Sequence, residues 1–495
     1  MTASTPPRTT LVHGESRMLV DGALVDAADG STYENINPAT EEVLGETADA
    51  SAADMDRAVA AARRAFDETG WSTDHALRRH CLEQLHQALQ EEKEAIRAEI
   101  VAEVGAPVLT THMAQVEWPL SDGLRYPAGL IGDFAWERSL PDTETVGWTS
   151  HRKVVKEAVG VVAAIIPWNF PLEVAINKIG PALAAGNTVV LKPAPDTPWN
   201  ATRLGRLAAE RTDMPPGVFN VVPTSDNRVA ERLVTDPRVD LVSFTGSTGV
   251  GRRILELSAA TLKRTMLELG GKSAMIVLDD ADFAQVIPHS AVACMHAGQG
   301  CALTTRLLVP RSRYAEAVEI ATATYAQVPY GDPADPANLA GPLINARQRE
   351  RVLGHIAKGT QEGARVTVGG GRPEHLPRGF YVQPTVFADV DNRMAIAQQE
   401  IFGPVLVVIP FDDDEDAVRL ANDSPYGLSG SVHSGSARRA DHVARAVRSG
   451  TMNVNGGLFY GPDAPFGGYK QSGLGRQNGL EGFDGYLETK TIGFR

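Results

Sequence analysis

The feature that most constrains the fold is an alternation that begins near residue 159. Short β-branched runs at 159–166, 188–191, 218–222 and 240–244 are separated by helix-patterned stretches at about 172–185, 201–210, 229–233 and 251–260. Strands alternating with helices at this spacing predict a doubly wound parallel α/β sheet. Such sheets bind ligands beyond the carboxyl ends of their strands. A second α/β series is expected from about residue 265. Its strands fall at 274–277 and 405–409, and its helices near 283–297, 314–326 and 346–362. A chain of 495 residues is long enough for two or three domains with full cores.

Before the alternation, 19–27 and 33–37 read as short strands. Ser51 with Asp54 predicts a capping box, followed by a helical stripe of Met55, Val59, Ala62 and Phe66. Leu77, Cys81, Leu85, Leu89, Ile96 and Ile100 predict one long helix, stopped by Gly105-Ala106-Pro107. Cys81 on that stripe and Cys294 inside a predicted helix read as packing. The mixed-charge stretch 134–156 reads as an arm or hairpin, and 479–495 as a terminal strand or arm. Gly369-Gly370-Gly371 reads as a turn, since no strand–helix pair frames it.

Charge and cysteine usage bound the partners. A net charge of −14 argues against nucleic acid, whose phosphates need a positive field. Three cysteines cannot form a disulfide framework in so long a chain, which suggests a reducing compartment. Residues 1–10 are polar, and the strongest apolar run, 159–166, is too short to span a bilayer. The expectation is a cytoplasmic protein with no membrane partner. No metal ligand set is assigned.

Five stretches carry candidate chemistry. In Gly298-Gln299-Gly300-Cys301 a lone thiol sits among small residues that leave room for a ligand. A thiolate there is a nucleophile toward carbonyl carbon, although a single cysteine is by default a small buried hydrophobe. In Pro167-Trp168-Asn169-Phe170-Pro171, Asn169 is held on a stiff turn at a strand end. Its amide either stabilises an oxyanion or caps the next helix. Phe244-Thr245-Gly246-Ser247-Thr248-Gly249-Val250-Gly251 is a strand–helix turn suited to a pyrophosphate, or a plain tight turn. It lacks the G-x-G-x-x-G spacing. In Leu267-Glu268-Leu269-Gly270-Gly271-Lys272, Glu268 sits among apolar residues, as a general base of raised pKa or as an ion-pair partner of Lys272. Glu400-Ile401-Phe402-Gly403-Pro404 places a carboxylate and a ring at one turn, able to hold a ribose and brace a planar ring.

Together with Lys192-Pro193 and 465–475, the order and spacing of these stretches resemble the aldehyde dehydrogenase superfamily over most of the chain. The combination is specific where no single member is. The resemblance implies a nucleotide-binding domain from 1–133 and 157–266, a catalytic domain from 267–465, and an oligomerisation arm from 134–156 and 479–495. It implies a homo-oligomer, dimer or tetramer. It matches Cys301 to the nucleophile, Asn169 to the oxyanion donor, Glu268 to the base and Lys178 to a residue of proton transfer. Lys192 matches an adenosine-ribose contact, Ser247 a pyrophosphate contact, and Glu400 the nicotinamide-ribose contact with Phe402 beside it. Ile166, Trp168, Gly246, Gly251 and Leu269 complete the expected cofactor contacts. The implied reaction oxidises an aldehyde to its acid with NAD(P)+ through a thiohemiacetal and a thioester on Cys301, hydrolysed by water that Glu268 activates.

The chain departs from the pattern at three places. Pro195 stands where many members have Glu, which removes one reason to exclude NADP, although Asp196 is adjacent and NAD is expected. Gln477 stands where many have Glu, which puts one proton-relay carboxylate in doubt, and Gly300 stands where many have a second cysteine. Glu173 and Asn177 lie on the helix that lines the family's substrate tunnel. They either favour a polar aldehyde or face solvent. The competing functions are a coenzyme A-acylating dehydrogenase, a cofactor-independent thiol esterase and a non-catalytic structural protein.

Overall fold

The computed structural model describes residues 14–495, so the polar stretch 1–10 lies outside the described residues. Two large sheets dominate it. The first has eight strands, and its centre is the expected parallel series Val161–Ile165, Thr188–Lys192, Phe219–Val221 and Leu241–Thr245. These strands read as unbroken apolar runs because helices cover both faces. Val161, Ala163 and Ile165 point into one core cluster, while Val162 and Ala164 point into the other.

Strand order positions the site. The chain runs from Val161–Ile165 outward through Thr188–Lys192 to Phe219–Val221, then returns to place Leu241–Thr245 on the other side of Val161–Ile165. The reversal opens a crevice between Val161–Ile165 and Leu241–Thr245. The Pro167–Pro171 turn (167–171) and the Gly246-Ser247 turn follow the carboxyl ends of those two strands.

The second series begins at Ser273–Val277, not near residue 265. Arg264–Glu268 pairs in parallel with Leu241–Thr245 and belongs to the first sheet. The glycines after Glu268 carry the chain across to the second sheet. That sheet has seven strands and contains the expected Ser273–Val277 and Val405–Phe411. The stretches 134–156 and 479–495 do meet: Leu487–Phe494 pairs antiparallel with Trp148–Ala158, which pairs with Glu137–Thr145.

The Ser51–Asp54 capping box forms, with Ser51 N–H donating to Asp54 Oδ2 at 2.9 Å. Two helix expectations need correction. The long helix is two, His75–Glu91 and Lys93–Val104, broken at Glu92, whose carboxylate takes Arg203 and Arg206. Leu85, Leu89, Ile96 and Ile100 all enter one cluster, so apolar periodicity does not register the break. The helix expected over 283–297 is a single turn, Phe283–Val286, followed by 3-10 turns over Ile287–Gly298. Pro288 lacks an N–H for a regular ladder, and the chain unwinds into left-handed geometry at His296, Ala297 and Gly298. Cys81 and Cys294 are buried as expected, and all three cysteines are free thiols. Gly369-Gly370-Gly371 forms part of the connection between Arg365–Val368 and Thr385–Ala388. Among the described residues no helix is long and apolar enough to cross a membrane.

Candidate active site

The thiol turn is built by the unwinding before it. Gly298 takes φ +74°, and a Cβ there would strike the Gly403 carbonyl, so only glycine fits. Gln299 is fully buried and pins the turn. Its Nε2 donates to the carbonyls of His296 (3.1 Å) and Pro342 (3.2 Å), and its Oε1 accepts from Ile344 N–H at 2.9 Å. Cys301 keeps part of its surface accessible, unlike Cys81 and Cys294. Burial, with the charges of Glu400, Glu173 and Glu268, pushes its thiol up to about 12. The thiol is therefore protonated at neutral pH, and attack requires a proton acceptor.

Asn169 does not cap the next helix. Phe170 occupies the cap position of Pro171–Ala184 with no side-chain bond. Instead Asn169 Nδ2 donates to the Gln299 carbonyl at 2.7 Å, tying the first sheet's turn to the thiol turn. Gln115 Nε2 holds the Asn169 carbonyl at 2.7 Å. An amide NH2 has two donors, so a second N–H is free for a ligand oxygen.

Glu268 ends the strand Arg264–Glu268 and is 7% exposed. Burial raises its carboxyl to about 8, against the opposing charges of Lys178 and Arg476. Its Oε2 has no hydrogen-bond partner. The ion pair with Lys272 considered above is not formed: Lys272 Nζ is itself unpartnered and buried. Lys272 instead feels the charges of Arg306 and Glu400.

The two glycines after Glu268 let three segments touch. Gly271 N–H donates to Glu400 Oε1 at 2.9 Å. A Cβ on Gly270 would strike the Glu400 carboxylate, and one on Gly271 would lie 2.6 Å from the Cys301 carbonyl oxygen. The backbone after Glu268 thus packs directly on the Glu400 carboxylate and on the backbone of the thiol turn. Phe402, at φ +59°, meets the Trp168 ring edge-on at 5.4 Å.

The other expected contacts spread along the carboxyl edge of the first sheet. Lys192 ends its strand, is buried, and is lowered to about 8 by burial against the pull of Asp196 and Asp49. Ile166 N–H donates to the Lys192 carbonyl at 3.1 Å. Asp196 accepts from Asn345 Nδ2 at 2.7 Å. Ser247 caps Thr248–Ser258, accepting from Val250 N–H at 3.3 Å, and Gly246 N–H donates to the Glu268 carbonyl at 3.0 Å. Gly251 packs on Leu269, where a Cβ would lie 2.6 Å from the leucine side chain. Lys178 is buried and lowered to about 8 by burial, against the charge of Glu268.

Three further residues of this region, Ser243, Tyr460 and Tyr486, carry no sequence signal that singles them out. Lys178 Nζ donates to Ser243 Oγ at 3.1 Å, and Ser243 Oγ lies 3.0 Å from Tyr486 OH. Tyr460 OH donates to Glu173, accepts from Asn177 Nδ2 at 3.2 Å, and stacks on Trp118 at 5.7 Å. Asn177 is 7% exposed, so it does not face solvent. Gln299 could have been suspected from its place beside the thiol, whereas Ser243, Tyr460 and Tyr486 come together only through the fold.

The comparisons with known proteins identify the family. The sequence model of the aldehyde dehydrogenase family matches residues 24–492. A 3-succinoylsemialdehyde-pyridine dehydrogenase from a Pseudomonas species is 42% identical over 481 residues, covering 96% of this chain and 97% of that protein. A Mycobacterium tuberculosis aldehyde dehydrogenase, solved with NAD+, is 44% identical with a TM-score of 0.92, covering 96% of this chain and 97% of that one. A cysteine-to-alanine mutant of aldehyde dehydrogenase C from Pseudomonas syringae, solved with NAD+ and octanal, is 40% identical with a TM-score of 0.90, each chain covered over 97%. A match over nearly the whole chain, with relatives above 40% identical, places the protein in the aldehyde dehydrogenase family.

Proposed function

We propose that the protein oxidises an aldehyde to its carboxylic acid with NAD+. The observation that carries this reading is one convergence. The Asn169 amide is bonded to the thiol turn, and Glu268, with a free oxygen, lies close enough to act on the thiol's charge. The residues along the sheet edge fit a dinucleotide. A buried ammonium (Lys192), a helix N-terminus at Ser247, a carboxylate (Glu400) and two rings suit ribose hydroxyls, a pyrophosphate and a planar base. When bound, NAD+ supplies the hydride acceptor.

The chain's own residues do the rest. Cys301 Sγ attacks the aldehyde carbon, and its proton passes to Glu268. The oxyanion that forms is held by the second Asn169 N–H and the Cys301 backbone N–H. Loss of hydride leaves a thioester on Cys301. Glu268 passes the thiol proton on toward solvent and, ionised again, takes one from water; the water oxygen attacks the thioester carbon, and the acid departs with the thiolate as leaving group. Lys178 assists proton movement behind Glu268.

The rest of the reading follows the architecture. The first sheet serves the cofactor, the second serves the thiol, and the three-stranded arm joins copies of the chain. Val146, Trp148 and Phe494, exposed on that arm, support a homo-oligomer. A cytoplasmic location is supported by three unpaired thiols. The Glu173–Tyr460–Asn177 cluster supports a polar aldehyde. Catalytic efficiency should be higher for a hydroxy-aldehyde than for hexanal, and equal values would count against that specificity. The main test is a panel of aldehydes assayed with NAD+ and NADP+, with and without coenzyme A. NADH formation and free acid without coenzyme A are expected, and both should vanish in Cys301→Ala. Dehydrogenase activity retained in that variant would remove the assigned nucleophile. Product only with coenzyme A, or ester turnover that ignores NAD+, would favour the competing functions.

A further inference from the structure

Lys178 and Glu268 present a problem. Both are buried, each feels the other's charge, and yet Glu268 Oε2 has no partner. A buried ammonium that feels a buried carboxylate's charge is drawn toward it, unless something else holds it. The structure shows the holder. Lys178 Nζ donates to Ser243 Oγ at 3.1 Å, and Ser243 Oγ is bonded to Tyr486 OH at 3.0 Å. Lys178, Ser243 and Tyr486 are at most 2% exposed, so water does not compete for these bonds.

Tyr486 is itself clamped. Its carbonyl accepts from Val159 N–H at 3.2 Å and from Asn187 Nδ2 at 3.1 Å, at the entrances to two central strands of the first sheet. The next residue begins Leu487–Phe494, which pairs with Trp148–Ala158 from Leu487↔Ala158 onward. The groups whose charge or hydroxyl bears on Glu268 are Lys178 from the helix Pro171–Ala184, Arg476 from the segment after Gly473–Leu474, the Cys301 thiol and Tyr486 OH.

We infer that Tyr486 is a positioning residue that, through the Ser243 hydroxyl, holds the Lys178 ammonium off Glu268 and keeps that carboxyl free to take a proton from water. The inference rests on the aldehyde-oxidising reading above and adds a link within it. Docking of the arm strand and the strength of the base are joined through one side-chain chain of three residues. If the tether is cut, Lys178 closes on Glu268, the carboxylate is stabilised, and it becomes a weaker base.

The test uses the full-length enzyme with NAD+ and an oxidisable aldehyde, comparing Tyr486→Phe, Ser243→Ala and the double variant. Hydride transfer, read as the burst of NADH, is expected to stay within about twofold of the parent. On the alkaline plateau, where Glu268 is ionised in parent and variant alike, deacylation should slow by up to about tenfold, and the acid limb of its pH profile should move down by about one pH unit. The double variant should be no worse than Ser243→Ala alone. Ser243→Thr, which keeps the hydroxyl, should restore deacylation. Equal losses in burst and deacylation, or an unmoved acid limb in Ser243→Ala, would overturn the positioning role. Ser243→Ala alone decides the matter if Tyr486→Phe does not fold. A parent enzyme that oxidises no aldehyde would instead overturn the functional reading.

Discussion

Two buried glutamates, Glu103 and Glu268, are both held far above the ordinary carboxylate range by burial. Their surroundings differ completely. Glu103 accepts four bonds, from Asn35 Nδ2 (2.7 Å), Asn200 Nδ2 (2.6 Å), Trp199 N–H (3.1 Å) and Asn200 N–H (3.2 Å). It stitches the Thr32–Ile36 hairpin to the start of the helix Trp199–Arg211, whose Pro198 cap offers no side-chain oxygen. Glu268 leaves one oxygen unpartnered, and its charge bears on the Cys301 thiol. A shifted pKa therefore does not mark a catalytic acid by itself. Unspent hydrogen-bonding capacity beside a nucleophile does.

The contrast can be broken by exchanging the effects of the two residues. Glu268→Gln should lower turnover by about 10²–10⁴-fold without lowering the melting temperature, because no bond is lost. Turnover kinetics with a thermal melt would check both halves. Glu103→Ala should do the reverse. It strands four donors and should cost about 3 kcal/mol or more, read by denaturant unfolding, while activity per folded molecule stays within about twofold.

A third expectation concerns pH. Glu268 titrates near 8 in the folded protein and near 4.3 when unfolded, so the native state holds a proton that the unfolded state releases. Its contribution to stability is complete below about pH 4.3 and is lost as pH rises toward about 8. Between pH 5 and 8, Glu268→Gln should lose less stability than the parent, by about 3–4 kcal/mol, in melts at fixed ionic strength. Deacylation runs the opposite way and should rise as Glu268 ionises near pH 8. The smallest effect is selectivity among thiols. Iodoacetamide should label Cys301 at least about tenfold faster than Cys81 or Cys294, with a rate that climbs with pH because the thiol is protonated at neutrality. Peptide mapping reads this directly.

Much of this was legible in the sequence. The parallel series after residue 159 was readable because fully buried strands are unbroken β-branched runs between helical stretches. Cys301, Asn169 and Glu268 were legible because each sits at a strand end or a tight turn with glycine or proline beside it. The break at Glu92 was not, because both helices bury the same stripe. The unwinding at 296–298 was not, because His296 and Ala297 carry no turn signal and yet take positive φ. Arg264–Glu268 looked like the start of a new series because its sheet partner, Leu241–Thr245, is known only from the fold. Ser243 and Tyr486, distant in sequence, give no local sign of meeting.

The account's central claim is that an acyl group passes through Cys301 and leaves by way of Glu268. The most direct measurement mixes Glu268→Gln enzyme with NAD+ and an oxidisable aldehyde, follows NADH on the millisecond scale, and then weighs the Cys301 peptide. The account predicts one equivalent of NADH per site, near arrest, and an acyl adduct on Cys301. Unchanged turnover after the burst, or NADH formation with Cys301 unmodified at every time point, would contradict it.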